Sequence, residues 1–291
     1  MRPRPSSPAI AALIGLVLAA CASATSPEPS PSVPASIGPS ESAAPSGPSE
    51  PVGIAVIGHS GATGFDSSPV QSGVDVGTNS WATGTNPEVQ SIYLRMLATD
   101  PAIEGHNANL AISGSDVESL LNQATTLVGR DPAPALVFIE TMDNDIRCDG
   151  TDEENFDHYR STLDEVIDTL ESGIPDVETF IVSQWGTVAA YDRAVFEISP
   201  AHLTGDGPCD AVDPATGEIV PSKEKYLQDL VDAYWGIVTE VCEEAANCRT
   251  DGGAMQDFEP TPEDFTPDLN HLSISGLAKK AAIEWGVLGQ Q

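Results

Sequence analysis

Downstream of residue 53 the chain alternates short apolar runs with amphipathic helical stretches, and that alternation leaves few architectures open to it. Gly53-Ile54-Ala55-Val56-Ile57 is the first run and ends at Gly58. Asn109 to Ser113, Ala135 to Ile139 and Glu178 to Ser183 are three more. Runs this short, bounded by turn residues and without strict polar alternation, suit strands covered on both faces. Between and after them, helical spacing takes over. Ser115 or Asp116 can cap a stretch in which Val117, Leu120, Leu121, Ala124, Leu127 and Val128 share a face. Phe156, Tyr159, Leu163, Val166, Ile167 and Leu170 form a second face, stopped by Gly173 and Pro175. Leu227, Leu230, Val231, Tyr234, Val238 and Val241 form a third; Leu277, Ala281, Trp285 and Leu288 form the last. The expected fold is therefore α/β, a mostly parallel central sheet with helices on both faces in three layers. Thr187 to Ser222, rich in Pro, Gly and Asp, breaks the rhythm and reads as an inserted loop near a site.

The first 52 residues are not part of that pattern. Arg2 and Arg4 precede an apolar run from Ala9 to Ala20 that is too short to span a bilayer. Residues 1–20 thus read as a secretory signal peptide. Leu18-Ala19-Ala20-Cys21 resembles the lipobox of bacterial lipoproteins, which implies that Cys21 is lipidated and becomes the new N-terminus. From 21 to 52 the chain is almost entirely Ser, Pro, Ala, Gly and Glu, a composition that cannot bury enough surface to offset its ordering entropy. It reads as a tether. One folded domain, 53–291, is expected beyond it, outside the cytoplasm and held to the membrane through the lipid alone.

Asp and Glu total 44 against 12 Lys and Arg, for a formal net charge of −32. That balance argues against nucleic acid, whose phosphates need clustered basic side chains, and against adhesion to anionic lipid. With Cys21 lipidated, Cys148, Cys209, Cys242 and Cys248 remain, an even number in an oxidising compartment. Two disulfides are expected. Three connectivities are possible; a local Cys242–Cys248 link at a helix end is preferred and leaves Cys148 with Cys209.

In an open parallel sheet, ligands sit beyond the carboxyl ends of the strands. After the first run comes Gly58-His59-Ser60-Gly61, after the second Gly114, and after the third Asp143-Asn144-Asp145. Just before the last helix comes Asp268-Leu269-Asn270-His271. Together these offer a hydroxyl, a backbone N–H at a glycine, a side-chain amide, and an imidazole with a carboxylate three positions earlier. That set suffices for acyl transfer.

The order and spacing of these four blocks resemble the SGNH (GDSL-like) hydrolase superfamily, over roughly residues 53 to 288. Ile54 to Ser60 is similar to its first block, Ile112-Ser113-Gly114-Ser115 to the second, Asn144-Asp145 to the third and Asp268 to His271 to the last. The resemblance implies a flavodoxin-like sandwich, Ser60 as nucleophile, His271 as base and Asp268 as the group that orients it. It also implies an oxyanion hole made by the Ser60 and Gly114 N–H groups and the Asn144 side chain. Two positions depart from the family pattern: His59 stands where Asp is usual, and Met142 where Gly is usual. Neither removes an atom that would touch an acyl group, but both bear on how the site is held.

The expected activity is that of a cofactor-free carboxylic ester hydrolase, acting as a monomer on a lipid ester, a small acyl ester or an acylated carbohydrate. The alternative is a surface lipoprotein that keeps the fold as a non-catalytic binding module. No metal site is expected, because His106, His158 and His202 have no ligand spacing. His59 is expected to make a structural hydrogen bond. Trp81, Trp185 and Trp235 are expected in the core or the pocket wall.

Overall fold

A computed structural model describes residues 49–289. The signal peptide, Cys21 and the tether as far as residue 48 lie outside the described residues. Residues 49–52, assigned above to the tether, run against the domain. The Ser49 N–H donates to the Asp131 carboxylate at 3.1 Å and the Val52 N–H to the Ala133 carbonyl at 2.8 Å.

Among the described residues five strands form one sheet: β1 (Ile54–Gly58), β2 (Asn107–Asn109), β3 (Leu136–Glu140), β4 (Glu178–Val182) and β5 (Cys248–Thr250). Their order is β2-β1-β3-β4-β5 and every pairing is parallel. Side chains alternate along each strand. Ile54, Val56, Phe138 and Phe180 therefore point into one layer, with α2 (Ile92–Leu97), α5 (Val188–Ile198) and α7 (Ile274–Leu288). Ala55, Ile57, Val137 and Ile139 point into the other, with α3 (Val117–Val128), α4 (Phe156–Gly173) and α6 (Pro221–Glu244). Both faces are covered, which is why the runs that form β1 and β3 are apolar at nearly every position. Full burial of each Ile or Phe contributes about 1.5–3 kcal/mol.

This is the α/β sandwich expected from the sequence. The strand order reverses between β1 and β3, and in such sheets the crevice for a ligand opens at that reversal, beyond the carboxyl ends. A short helical turn, α1 (Ser60–Thr63), begins there.

Three local readings need correction. The second strand is Asn107–Asn109, not 109–113. The backbone still donates from Leu110 and Ile112 to the Val56 and Gly58 carbonyls, but Ile112 is 58% exposed. Asn109 accounts for this: its side chain accepts the Ala111 N–H and donates to the Ala62 carbonyl, a local turn that bends the chain off the sheet edge. The stretch 187–222 is not loop throughout, because Thr187 accepts the Ala190 N–H and caps α5. The third correction is β5, whose three residues carry no periodic signal of their own. The disulfides are Cys148–Cys209 and Cys242–Cys248.

Candidate active site

Ser60 owes its position to how β1 ends. A Cβ on Gly58 would lie 2.3 Å from the Glu140 carbonyl oxygen, so only glycine lets β1 lie this close to β3 there. His59 then leaves the strand in an extended conformation and caps α1, its Nδ1 accepting the Gly61 N–H at 3.1 Å. Ser60 becomes the first residue of that turn, at the mouth of the crevice. A side chain on Gly61 would collide with Glu140 Oε1, at 2.1 Å from the new Cβ.

His271 arrives from the far end of the chain. Its backbone carbonyl accepts the Thr266 N–H at 2.8 Å, closing a tight loop before α7. Within that loop Asp268 Oδ1 accepts from the Thr266 hydroxyl at 2.6 Å, the Asn270 N–H at 2.9 Å and the His271 N–H at 3.1 Å. Its Oδ2 lies 2.7 Å from His271 Nδ1, and His271 Nε2 lies 2.7 Å from Ser60 Oγ, across 211 residues of sequence. Burial pushes the Asp268 carboxyl up, but those donors outweigh it and hold the group below the usual carboxylate range. An ionised Asp268 fixes the proton on Nδ1 and leaves Nε2 as an acceptor for the serine hydroxyl. The Phe65 ring packs against the imidazole at 4.7 Å.

The oxyanion candidates Gly114 and Asn144 lie in the segments that follow β2 and β3. Gly114 has φ +81°, a conformation that favours glycine, and sits in the segment that follows β2. Next to it, the Ser113 hydroxyl donates to Asp75, which also accepts from Thr63 of α1. On its other side the Ser115 carbonyl accepts from Asn144 Nδ2 at 2.8 Å. That contact fixes Asn144 and uses one amide hydrogen, leaving the second for another acceptor. Asn144 lines the cavity beside Ser60; Gly114 does not.

The two departures from the family pattern can be read locally. Met142 has φ +82° although it carries a side chain, a conformation that costs about 1–2 kcal/mol, and its side chain is buried in the core layer that holds α3, α4 and α6. Position 142 thus has the backbone that glycine adopts freely. Beyond it Asp145 accepts the Val117 N–H at the start of α3, and burial raises its carboxyl to about 6. His59 makes the structural hydrogen bond expected of it, through Nδ1. Its Nε2 lies 3.5 Å from Asp143 Oδ2, near enough for an ion pair if protonated but not aligned for a hydrogen bond.

Beneath Ser60 lies a buried ion pair that the sequence reading missed. Lys280 of α7 donates to Glu140 Oε1 at 2.6 Å, and the Trp81 indole donates to Oε2 at 2.7 Å. Lys280 also sits 4.8 Å over the Trp81 ring. Burial pushes the Glu140 carboxyl up, but Lys280 and then His59 more than reverse that, and it stays ionised. One helical turn beyond Lys280, Glu284 is buried beside Asp251, and burial together with that carboxylate holds its pKa well above the ordinary range. A signal existed: Lys280 and Glu284 fall on the inward stripe of α7 with Leu277 and Ala281.

A cavity of about 330 Å³ opens beside Ser60 and His271, towards β3, β4 and α6. Among the described residues, no group of three His, Cys, Asp or Glu is placed to hold a metal ion. A hydroxyl, a base within hydrogen-bond reach and a carboxylate orienting that base can together perform acyl transfer.

The family model described as GDSL-like lipase/acylhydrolase matches residues 54–279. No match was found among curated proteins. Among solved structures, a protein proposed to be a GDSL-like lipase from Parabacteroides merdae superposes with a TM-score of 0.50 at 14% identity, covering 84% of this chain and 99% of that one. Phospholipase A1 from Streptomyces albidoflavus gives 0.49 at 12% identity, with coverages of 82% and 98%. A family 3 carbohydrate esterase from Clostridium thermocellum gives 0.48 at 15% identity, with coverages of 81% and 94%. At such identities a likeness speaks to the fold alone.

Proposed function

Because this chain belongs to the GDSL-like lipase/acylhydrolase family and is thus an acyl hydrolase, we propose that it is a serine carboxylic ester hydrolase with Ser60 as nucleophile. The observation that carries the reading is the continuous contact from Ser60 Oγ to His271 Nε2 and from Nδ1 to Asp268, 2.7 Å at each step. His271 takes the proton from Ser60 as Oγ attacks the ester carbonyl. Asp268 keeps the imidazole in the useful tautomer and stabilises the imidazolium. The developing oxyanion takes the second hydrogen of the Asn144 amide and the N–H groups of Ser60 and Gly114. His271 then returns its proton to the departing alcohol. Water, activated by the same imidazole, releases the acid from Ser60.

The test is hydrolysis of p-nitrophenyl acetate together with labelling by a fluorophosphonate. Ser60→Ala should lose both. Asn144→Ala should lower kcat about a hundredfold with little change in KM, since the oxyanion exists only on the way to the tetrahedral intermediate. Wild-type protein that turns over no ester and takes no label would leave the binding-module reading in its place. We also propose an extracytoplasmic protein anchored through lipidated Cys21; two disulfides support the oxidising compartment. Cys21→Ser should release it from the membrane fraction.

A further inference from the structure

Among the polar side chains of the cavity wall that take no part in the Ser60–His271–Asp268 relay, Asp143, Gln184 and His59 lie together. Asp143 precedes the oxyanion candidate Asn144, and its side chain is 27% exposed, towards the space beside the nucleophile. Gln184, just past the end of β4, is oriented by its neighbours. With its nitrogen towards Asp143 it donates to both carboxylate oxygens, at 2.5 and 3.1 Å. Among the described residues no Lys or Arg lines the cavity, and Lys280 is already engaged with Glu140 below it. Burial raises the Asp143 carboxyl, opposed by the nearby His59. The wall therefore offers a carboxylate held by a neutral amide.

This chemistry discriminates among ester substrates. A long acyl chain laid across Asp143 and Gln184 would strip their hydration and leave them unpaired, at about 1–3 kcal/mol for each group. An ammonium would meet the Gln184 amide, which already donates to the carboxylate. Neighbouring hydroxyl groups fit both partners. They donate to free lone pairs of Asp143 and accept from the amide, while Trp185 and Tyr191 in the same wall supply an apolar face.

We propose that the cavity is a recognition subsite for a hydroxylated group, so that the substrate is an ester of a polyol or monosaccharide bound through adjacent hydroxyls by Asp143 and Gln184. This rests on the esterase reading above and goes beyond it by naming the substrate class.

The experiment compares kcat/KM of the purified full chain on a monosaccharide acetate, on ethyl acetate and on acetylcholine. Wild type should prefer the sugar ester to ethyl acetate at least tenfold. Asp143→Ala and Gln184→Leu should each shrink that preference at least fivefold, mostly through KM. Because the preference is a ratio measured on one preparation, a partly misfolded variant cannot mimic the effect. The subsite is overturned if wild type hydrolyses ethyl acetate but shows no preference for the sugar ester, or if the preference survives both substitutions. A preference for acetylcholine that these substitutions abolish would overturn it in favour of a cation site. Wild type that hydrolyses none of the three removes the esterase reading itself, and the subsite with it.

Discussion

Lys280→Met tests the buried charges beneath Ser60. The substitution keeps most of the apolar stem and removes the ammonium that Glu140 accepts from at 2.6 Å. Glu140 is 5% exposed and cannot recover its hydration, so it either stays ionised without its cation or takes up a proton. The second route sets the ceiling. Holding a carboxyl of ordinary pKa 4.5 in its protonated form at pH 7 costs about 3 kcal/mol, at 1.36 kcal/mol for each pH unit. The lost cation–π contact with Trp81 adds about 1 kcal/mol. In the variant the folded-state pKa of Glu140 lies above its unfolded value. Its penalty is therefore absent below about pH 4.5 and grows as pH rises. At pH 5.5 about 1 kcal/mol of it should remain. Urea unfolding followed by tryptophan fluorescence at pH 7.0 and 5.5, against wild type at each pH, measures this directly. Glu140→Gln should cost less at pH 7, because Glu284, held protonated one turn from Lys280, can ionise in its place. A loss that does not change with pH, or a variant as stable as wild type, would refute the reasoning.

Further outcomes follow from other sites. Met142→Gly should be less destabilising than Met142→Ala by about 1 kcal/mol in thermal unfolding, reversing the usual order, because only glycine relieves the φ of +82°. Asp192 is 3% exposed, and burial, with Glu224 nearby, raises its carboxyl from 3.8 to about 7. The folded state thus holds a proton that the unfolded chain releases, and stability falls as pH rises from about 4 to 7. Asp192→Asn should stabilise the protein by about 1–3 kcal/mol at pH 8 and leave it unchanged at pH 4, read from urea midpoints. Replacing both Cys148 and Cys209 by Ser should cost more than replacing Cys242 and Cys248. Their separations are 61 and 6 residues, which correspond to loop-closure terms of about 4 and 2 kcal/mol.

The sheet was legible because burial on both faces writes nearly unbroken apolar runs into β1 and β3, and α3, α4 and α6 each expose a polar side that makes helical spacing visible. Ser60, Asp268 and His271 could be picked out because four short blocks, none diagnostic alone, follow one another in a single order along the α/β pattern. What was hidden depends on contacts between distant segments. Helix α5 is short, and the Pro- and Gly-rich residues after Ile198 dilute its pattern. Strand β5 exists through pairing with β4, not through its own composition. Asp143 and Gln184 lie 41 positions apart and belong to no motif, and only the neighbouring ends of β3 and β4 bring them together. Lys280 reads as an ordinary surface lysine until its helical face is compared with that of Leu277 and Ala281.

The Cys148–Cys209 bridge makes a closed covalent ring of the chain between those residues, and strand β4, Gln184 and α5 all lie within it. Ser60 precedes the ring and His271 follows it. A protease that cut once at the exposed Ala201-His202 pair would leave the proposed nucleophile and base on different polypeptides, still joined covalently by that one bond. On a denaturing gel the cut molecule would run as a single species without reductant and as two with it. Reduction would then remove the one covalent link between the fragment that carries Ser60 and the fragment that carries His271.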